Sequence, residues 1–178
     1  ATVSPTATTT YALTATNSAG SVTKTITVTV QAAPPPVNNL VVNPSLETAN
    51  GTLPAGWLQG SWGTLTRSFT YPITGYDGAK AARVDISAYT DGDAKWVFDH
   101  ILVTPGVSYT YSDYYQSSTP SSIVVEYILN DNSYAYVEIA TLPAVASWTA
   151  YSGTIAVPAN VKSMTVFHLI QGVGYLSI

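Results

Sequence analysis

The sequence predicts an all-β chain: a jelly-roll β-sandwich over residues 38–178, preceded by a threonine-rich β-hairpin. Three observations carry this. Short runs rich in Val, Ile, Thr and Tyr alternate side-chain character with period two, as half-buried strands do. Clusters of turn-forming residues, such as Thr104-Pro-Gly106, Asn130-Asp-Asn-Ser133 and Pro158-Ala-Asn160, separate the runs. No stretch keeps helical periodicity beyond a turn or two. Eight to ten short antiparallel strands over the longer segment make a sandwich.

Residues 1–31 stand apart, with eleven threonines, Lys24 as their one charge and no tryptophan. Tyr11-Ala-Leu-Thr-Ala-Thr16 and Val22-Thr-Lys-Thr-Ile-Thr-Val-Thr-Val30 both alternate, and Asn17-Ser-Ala-Gly20 has the residues of a tight connection. A lone hairpin buries too little to be stable, so it must pack on a neighbour or end a larger domain. The stretch from Thr10 to Val30 resembles the last two strands of bacterial immunoglobulin-like modules. That resemblance implies that the chain begins inside such a module and that Ala1 is not its natural start. Ala32-Ala-Pro-Pro-Pro36 follows and predicts an extended linker over 32–37, and hence a domain boundary. In the longer segment the expected strands are 40–42, 64–70, 81–87, 95–103, 107–117, 122–130, 134–141, 148–156 and 162–170, with a last one starting near Tyr175.

Asn39-Leu-Val-Val-Asn-Pro-Ser-Leu-Glu47, Pro54-Ala-Gly-Trp57, Asp77-Gly-Ala-Lys-Ala-Ala-Arg-Val84 and Val103-Thr-Pro-Gly-Val-Ser-Tyr-Thr-Tyr-Ser112 follow in an order with a counterpart. Together they resemble the galactose-binding-like jelly rolls of carbohydrate-binding module families 4 and 9. Trp96-Val-Phe98, Ser112-Asp-Tyr-Tyr-Gln-Ser117 and Thr165-Val-Phe-His-Leu-Ile170 look like modules of bacterial extracellular polysaccharide-active proteins, some joined to polysaccharide deacetylases. The resemblance implies a non-catalytic module that binds a polysaccharide or oligosaccharide, in a secreted or cell-surface bacterial protein with neighbouring domains. It also implies a structural calcium, with Glu47 as a ligand and carbonyls near Lys80 completing an oxygen shell. The family's last strand runs on into Asp residues, whereas this sequence stops at Leu176-Ser-Ile178.

Composition excludes other classes. Six Lys and Arg against ten Asp and Glu, a formal net charge of −4, cannot supply the basic stripe that phosphate contacts need, so nucleic acid is not an expected partner. No run of 18 apolar residues marks a helical membrane span. Without cysteine, and with His100 and His168 alone, there is no thiolate or histidine-rich metal cage. For catalysis, His168 and Asp113 lack the Gly-x-Ser-x-Gly elbow of a serine hydrolase, and nothing fixes the spacing of Glu126, Glu138 and Asp113 as paired carboxylates.

A sugar site combines exposed aromatic rings with a few planar polar side chains, and strand parity selects the candidates. In 95–103 the apolar odd set, Val97, Ile101 and Val103, is assigned to the core. Trp96, Phe98 and His100 then share the outer face. In 107–117, Tyr109 and Tyr111 are core, leaving Thr110, Ser112, Tyr114 and Gln116 outward, with Asp113 a polar residue in core parity. In 162–170 both faces are partly apolar. If His168 meets Asp113, a carboxylate–imidazole hydrogen bond forms, either as the floor of a cleft or as a core network. The candidate ligand-binding set is Trp96, Phe98, Asp113, Tyr114, Gln116, Glu126 and His168, with Trp96 and Tyr114 as a stacking platform. Trp57 and Trp62 are assigned to closing one end of the sandwich, and Asp91-Gly-Asp93 to a loop carboxylate pair. The alternative is a structural or adhesive cell-surface or filament subunit, self-assembling through exposed strand edges such as that of the hairpin.

Overall fold

A computed structural model describes residues 9–28 and 39–178, and the chain divides into two compact units at Asn38. The proline-rich linker assigned to 32–37 lies outside the described residues, as do 1–8 and 29–31 of the threonine-rich segment.

In the first unit, β1 (Thr9–Asn17) and β2 (Gly20–Val28) form the expected antiparallel hairpin, in register from Thr9 opposite Val28 to Asn17 opposite Gly20. The Asn17 side chain closes the turn by accepting from the Ala19 N–H. Alternation then sorts the faces. One carries a hydroxyl ladder, Thr10 with Thr27, Thr14 with Thr23 and Thr16 with Ser21, at 2.7–2.8 Å. The other carries Tyr11, Leu13 and Ala15 opposite Ile26, Lys24 and Val22.

The second unit is an all-β sandwich. Two short strands that pair with each other, β3 (Ala49–Asn50) and β4 (Leu53–Pro54), precede β5 (Trp57–Trp62), β6 (Leu65–Ile73), β7 (Ala81–Tyr89) and β8 (Asp93–Phe98). After β9 (Ile101–Leu102) come β10 (Ser108–Ser117), β11 (Ser121–Leu129), β12 (Tyr134–Leu142), β13 (Val145–Ala156), β14 (Val161–Ile170) and β15 (Gly174–Ser177). One sheet runs β13-β10-β15-β7-β6; the other runs β12-β11-β14-β8-β5, with β9 also pairing β14. Consecutive strands such as β7 and β8 fall in opposite sheets, the crossing-over that defines a jelly roll.

Between the sheets lie Trp57, Val84, Ile86, Trp96, Phe98, Tyr115, Ile123, Val125, Tyr127, Met164, Val166, Ile170 and Leu176. Aromatic rings meet edge to face in this layer, Trp57 on Phe98 and Phe69 on Trp96, both with centroids 5.4 Å apart. Trp96 is 2% exposed, and its indole N–H donates to the Arg83 carbonyl at 3.0 Å.

Two expectations fail here. Trp96 and Phe98 face the core, not the outside. The expected strand 95–103 is broken at Asp99-His100, so the inward parity of Ile101 and Val103 does not carry back through the break. Upstream of it the larger rings are the ones buried. Residues 40–42 form no strand, because Asn39 and Asn43 compete for the local backbone. Asn39 Oδ1 accepts from the Val41 N–H, and the Asn43 amide bridges the Thr48 and Ala55 carbonyls and the Thr48 N–H.

Candidate functional site

The outer face of the six-stranded sheet carries a groove, and strand register maps it. One row across the strands reads Gly60, Lys95, Leu169, Ser122 and Thr141. The next, two residues along, reads Leu58 opposite Val97, then Phe167, Val124 and Glu138. A third reads Thr165, Glu126 and Tyr136. Trp62 stands opposite Asp93 at one edge. Rows of this kind lie about 6.6–6.8 Å apart and neighbouring strands about 4.8 Å apart, so the face spans roughly 19 Å from β5 to β12.

An apolar strip of Leu58, Val97, Phe167 and Val124 thus runs across the strands between polar rows. Trp62, 60% exposed, rises at the β5 side, and Tyr136, also exposed, at the β12 side. Two cavities flank the strip. One of about 270 Å³ is lined by Leu58, Trp62, Lys95, His100, Glu126 and Phe167 among others. One of about 340 Å³ is lined by Thr119, Pro120, Ser122, Glu138, Thr141 and Gln171.

The polar groups are held in place. Asp93 accepts from the Trp62 indole N–H at 2.7 Å and from the Lys95 ammonium, so one carboxylate orients both. The Lys95 ammonium also lies over the Phe167 ring, 4.6 Å from its centroid, and Gly60 leaves room for the lysine stem. Glu126 pairs with His100 Nε2 at 2.7 Å and accepts from the Tyr136 hydroxyl. That hydrogen bond, with burial and the carboxylate's charge, pushes Tyr136 up to about 12, so it stays a neutral donor at any working pH. Glu138 accepts from the Thr141 hydroxyl at 2.6 Å. Behind Trp62, Gly63 and Gly92 pack so closely that a Cβ on Gly92, at φ +96°, would fall 1.9 Å from the Trp62 carbonyl oxygen. Asp91 ties the same loop by accepting from the Thr64 N–H.

The expected ligand-binding residues separate into four places. Glu126 lies in the groove. Trp96 and Phe98 are core, as described. Tyr114 and Gln116 face outward as parity predicts, but from β10 in the five-stranded sheet, so Tyr114 cannot share a platform with Trp96. Tyr114 instead stacks on Tyr76, with centroids 3.8 Å apart and planes 15° apart.

Asp113 and His168 do meet, across the core: His168 Nδ1 lies 2.6 Å from Asp113 Oδ2 and joins the two sheets. This is the core network and not a cleft floor. Ser121 Oγ lies 2.8 Å from His168 Nε2, and the Tyr111 hydroxyl donates to Asp113 Oδ2 at 2.9 Å. The carboxylate accepts, which makes Nδ1 the donor and sets Nε2 against the Ser121 hydroxyl. Burial, then the neighbouring carboxylate, pushes the Tyr111 hydroxyl well above its usual value. Asp113 Oδ1 is buried without a hydrogen-bond partner. Ser, His and Asp line up here as in a hydrolytic triad, but Ser121 and His168 are at most 2% exposed, so no substrate reaches them.

Glu47 and Lys80 are brought together. Glu47 Oε1 accepts from the Lys80 N–H at 2.9 Å, and the Lys80 ammonium donates to the Glu47 carbonyl at 2.7 Å. No group of three or more Asp, Glu, His or Cys side chains gathers among the described residues. The locus offers a carboxylate and a carbonyl, oxygen donors suited to a hard cation, but the ammonium holds one of them.

Sequence reasoning missed Trp62, Lys95, Tyr136 and Phe167 as groove residues. Parity within Trp57-Leu-Gln-Gly-Ser-Trp62 held the signal for Trp62: five residues apart on one strand, the two indoles must face opposite ways.

No family model matches the sequence, and no curated protein matches it either. Solved structures do match in fold. The enzymatically active domain of bacteriophage CBA120 tailspike protein 4 is 14% identical with a TM-score of 0.59; the match covers 78% of this chain and 20% of that one. A xylan-binding domain from carbohydrate-binding module family 22 is 14% identical with a TM-score of 0.53, covering 80% of this chain and 92% of that one. A family 4 carbohydrate-binding module is 15% identical with a TM-score of 0.51, covering 77% and 94%. This chain therefore spans a fifth of the tailspike chain and nearly all of the two binding modules. At such identities the likeness establishes a shared jelly-roll sandwich.

Proposed function

We propose that the second unit is a non-catalytic carbohydrate-binding module whose ligand lies across the outer face of the six-stranded sheet. One observation carries this reading: an apolar strip, Leu58, Val97, Phe167 and Val124, bounded by the exposed rings of Trp62 and Tyr136 and rimmed by fixed polar side chains. Sugars present apolar C–H faces and hydroxyl edges, and this surface matches both. The fold neighbours that are themselves carbohydrate-binding modules support it. In this role Glu126 and Glu138 accept hydrogen bonds from hydroxyls and do no acid–base chemistry. The module would raise the effective concentration of a neighbouring domain or cell at a polysaccharide, in a secreted or cell-surface bacterial protein. The narrower kinship, to families 4 and 9 with an immunoglobulin-like module before it, belongs to the same proposal.

The test is affinity electrophoresis against soluble xylan, mixed β-glucan and chitin derivatives, for the native protein and Trp62→Ala. The indole is anchored by Asp93 and central to the groove edge, so its loss is expected to cost about 2 kcal/mol or more, roughly thirtyfold in Kd. Retarded migration that Trp62→Ala leaves unchanged would remove the groove from the account.

The structural calcium of this reading belongs at Glu47, with the Lys80 ammonium swinging aside to free the carbonyl. Calcium at a hundred times its Kd would then stabilise the fold by about 2.7 kcal/mol, and EDTA would reverse it. The expected result is a calcium-dependent rise in Tm that Glu47→Gln abolishes. An unchanged Tm would mean that Lys80 keeps the place.

A second reading, protein–protein assembly, is favoured by the hairpin, whose Leu13, Val22 and Ile26 share one face and are all largely exposed. Sedimentation across a concentration series tests it.

A further inference from the structure

The charges of the groove point to the kind of glycan it takes, an inference that rests on the carbohydrate-binding reading of the same surface. The two cavities are lined by three carboxylates, Asp99, Glu126 and Glu138, against one ammonium, Lys95, and one imidazole, His100. The ammonium is already engaged: Lys95 is buried, and Asp93 beneath it forms its ion pair. The His100 imidazole is engaged as well, its Nε2 lying 2.7 Å from Glu126 Oε1. Glu138 is held by Thr141 through Oε1, and a carboxylate has acceptor sites on both oxygens. Asp99 is exposed at the same end as His100. The groove therefore offers several anionic acceptors and no uncommitted cation among its lining residues.

The consequence for a ligand is directional. A uronate-bearing chain would bring negative charge against Glu126 and Glu138 with no ammonium to receive it. A neutral chain meets apolar floor and hydrogen-bond acceptors. A chain with free amino groups meets the same floor and in addition places ammonium groups beside carboxylates, which makes charge-assisted hydrogen bonds. We propose that the groove is selective for glycans bearing free amino groups, that is N-deacetylated amino sugars, and that Glu138 and Asp99 supply this selectivity from its two ends.

The experiment is calorimetric titration of the whole chain with four oligosaccharides of equal length: glucosamine, N-acetylglucosamine, glucose and galacturonate. The expected result is that the glucosamine oligomer binds at least tenfold tighter than its N-acetylated counterpart at low salt. The gap should narrow as salt shortens the Debye length from about 10 Å at 0.1 M. The galacturonate oligomer should bind weakest. Glu138→Gln and Asp99→Asn should each weaken binding of the glucosamine oligomer severalfold more than that of the glucose oligomer. Asp131→Asn makes the same charge change on the turn after β11, away from the groove lining, and should leave the preference intact. Equal affinity for the glucosamine and glucose oligomers overturns the selectivity while sparing the groove. An equal loss of preference in Asp131→Asn overturns it too, by tracing it to the protein's overall acidity. Failure of all four to bind removes the carbohydrate reading itself and this inference with it.

Discussion

Replacing His168 with alanine is expected to cost about 3–5 kcal/mol, enough to leave the sandwich largely unfolded in moderate denaturant. The imidazole is 1% exposed and joins Ser121 of one sheet to Asp113 of the other. Without it the Asp113 carboxylate, whose Oδ1 already lacks a partner, keeps the Tyr111 hydroxyl as its remaining hydrogen bond. A buried charge so exposed to an apolar core is costly in a way that a missing methyl group is not. The double variant His168→Ala, Asp113→Ala removes the orphaned charge and should therefore be less destabilised than the sum of the two single changes. Urea denaturation of the four proteins measures this. A loss below 1 kcal/mol in His168→Ala would show that the two sheets do not depend on the network.

The second large effect is expected at Trp96. Its side chain lies between the sheets against Phe69 and Tyr71, with its indole N–H on the Arg83 carbonyl. Trp96→Ala leaves a cavity and an unpaired carbonyl, and should cost about 3–5 kcal/mol. Trp62→Ala, at an exposed position, should change stability by no more than about 1 kcal/mol. The two tryptophans therefore test different things. Any glycan binding lost in Trp96→Ala reports unfolding, and calorimetric Tm values for both variants separate the cases. A Trp96→Ala protein as stable as the native one would contradict the burial on which the sheet assignment rests.

Most strand positions were legible because turn chemistry brackets them. The expected 107–117, 122–130 and 134–141 match Ser108–Ser117, Ser121–Leu129 and Tyr134–Leu142 within a residue. Parity succeeded where a strand is continuous: in β10 it placed Tyr109, Tyr111 and Asp113 inward and Tyr114 and Gln116 outward. It failed where a strand breaks, since the irregularity at Asp99-His100 reverses the faces and no residue there announces it. It was silent where both faces are covered. In β14, Val166 and His168 enter the core while Phe167 and Leu169 floor the groove, and all four are buried. The meeting of Asp113 and His168 was anticipated from polarity in core parity, but which sheets they join depends on the strand crossings, which periodicity does not encode. Trp62 was lost for a simpler reason: β5 contains Gly60 and too little alternation to read as a strand.

The central claim is that the ligand face belongs to the six-stranded sheet, with Trp62 at its edge and Phe167 on its floor. Its most direct test is a two-dimensional NMR titration of the labelled protein with the tightest-binding oligosaccharide. The account predicts that the Trp62 indole N–H and the amides of Lys95, Glu126 and Phe167 shift together, while the indole signals of Trp57 and Trp96 stay fixed in the core. Shifts centred instead on Tyr76, Tyr114 and Gln116 would place the ligand on the opposite sheet and contradict it.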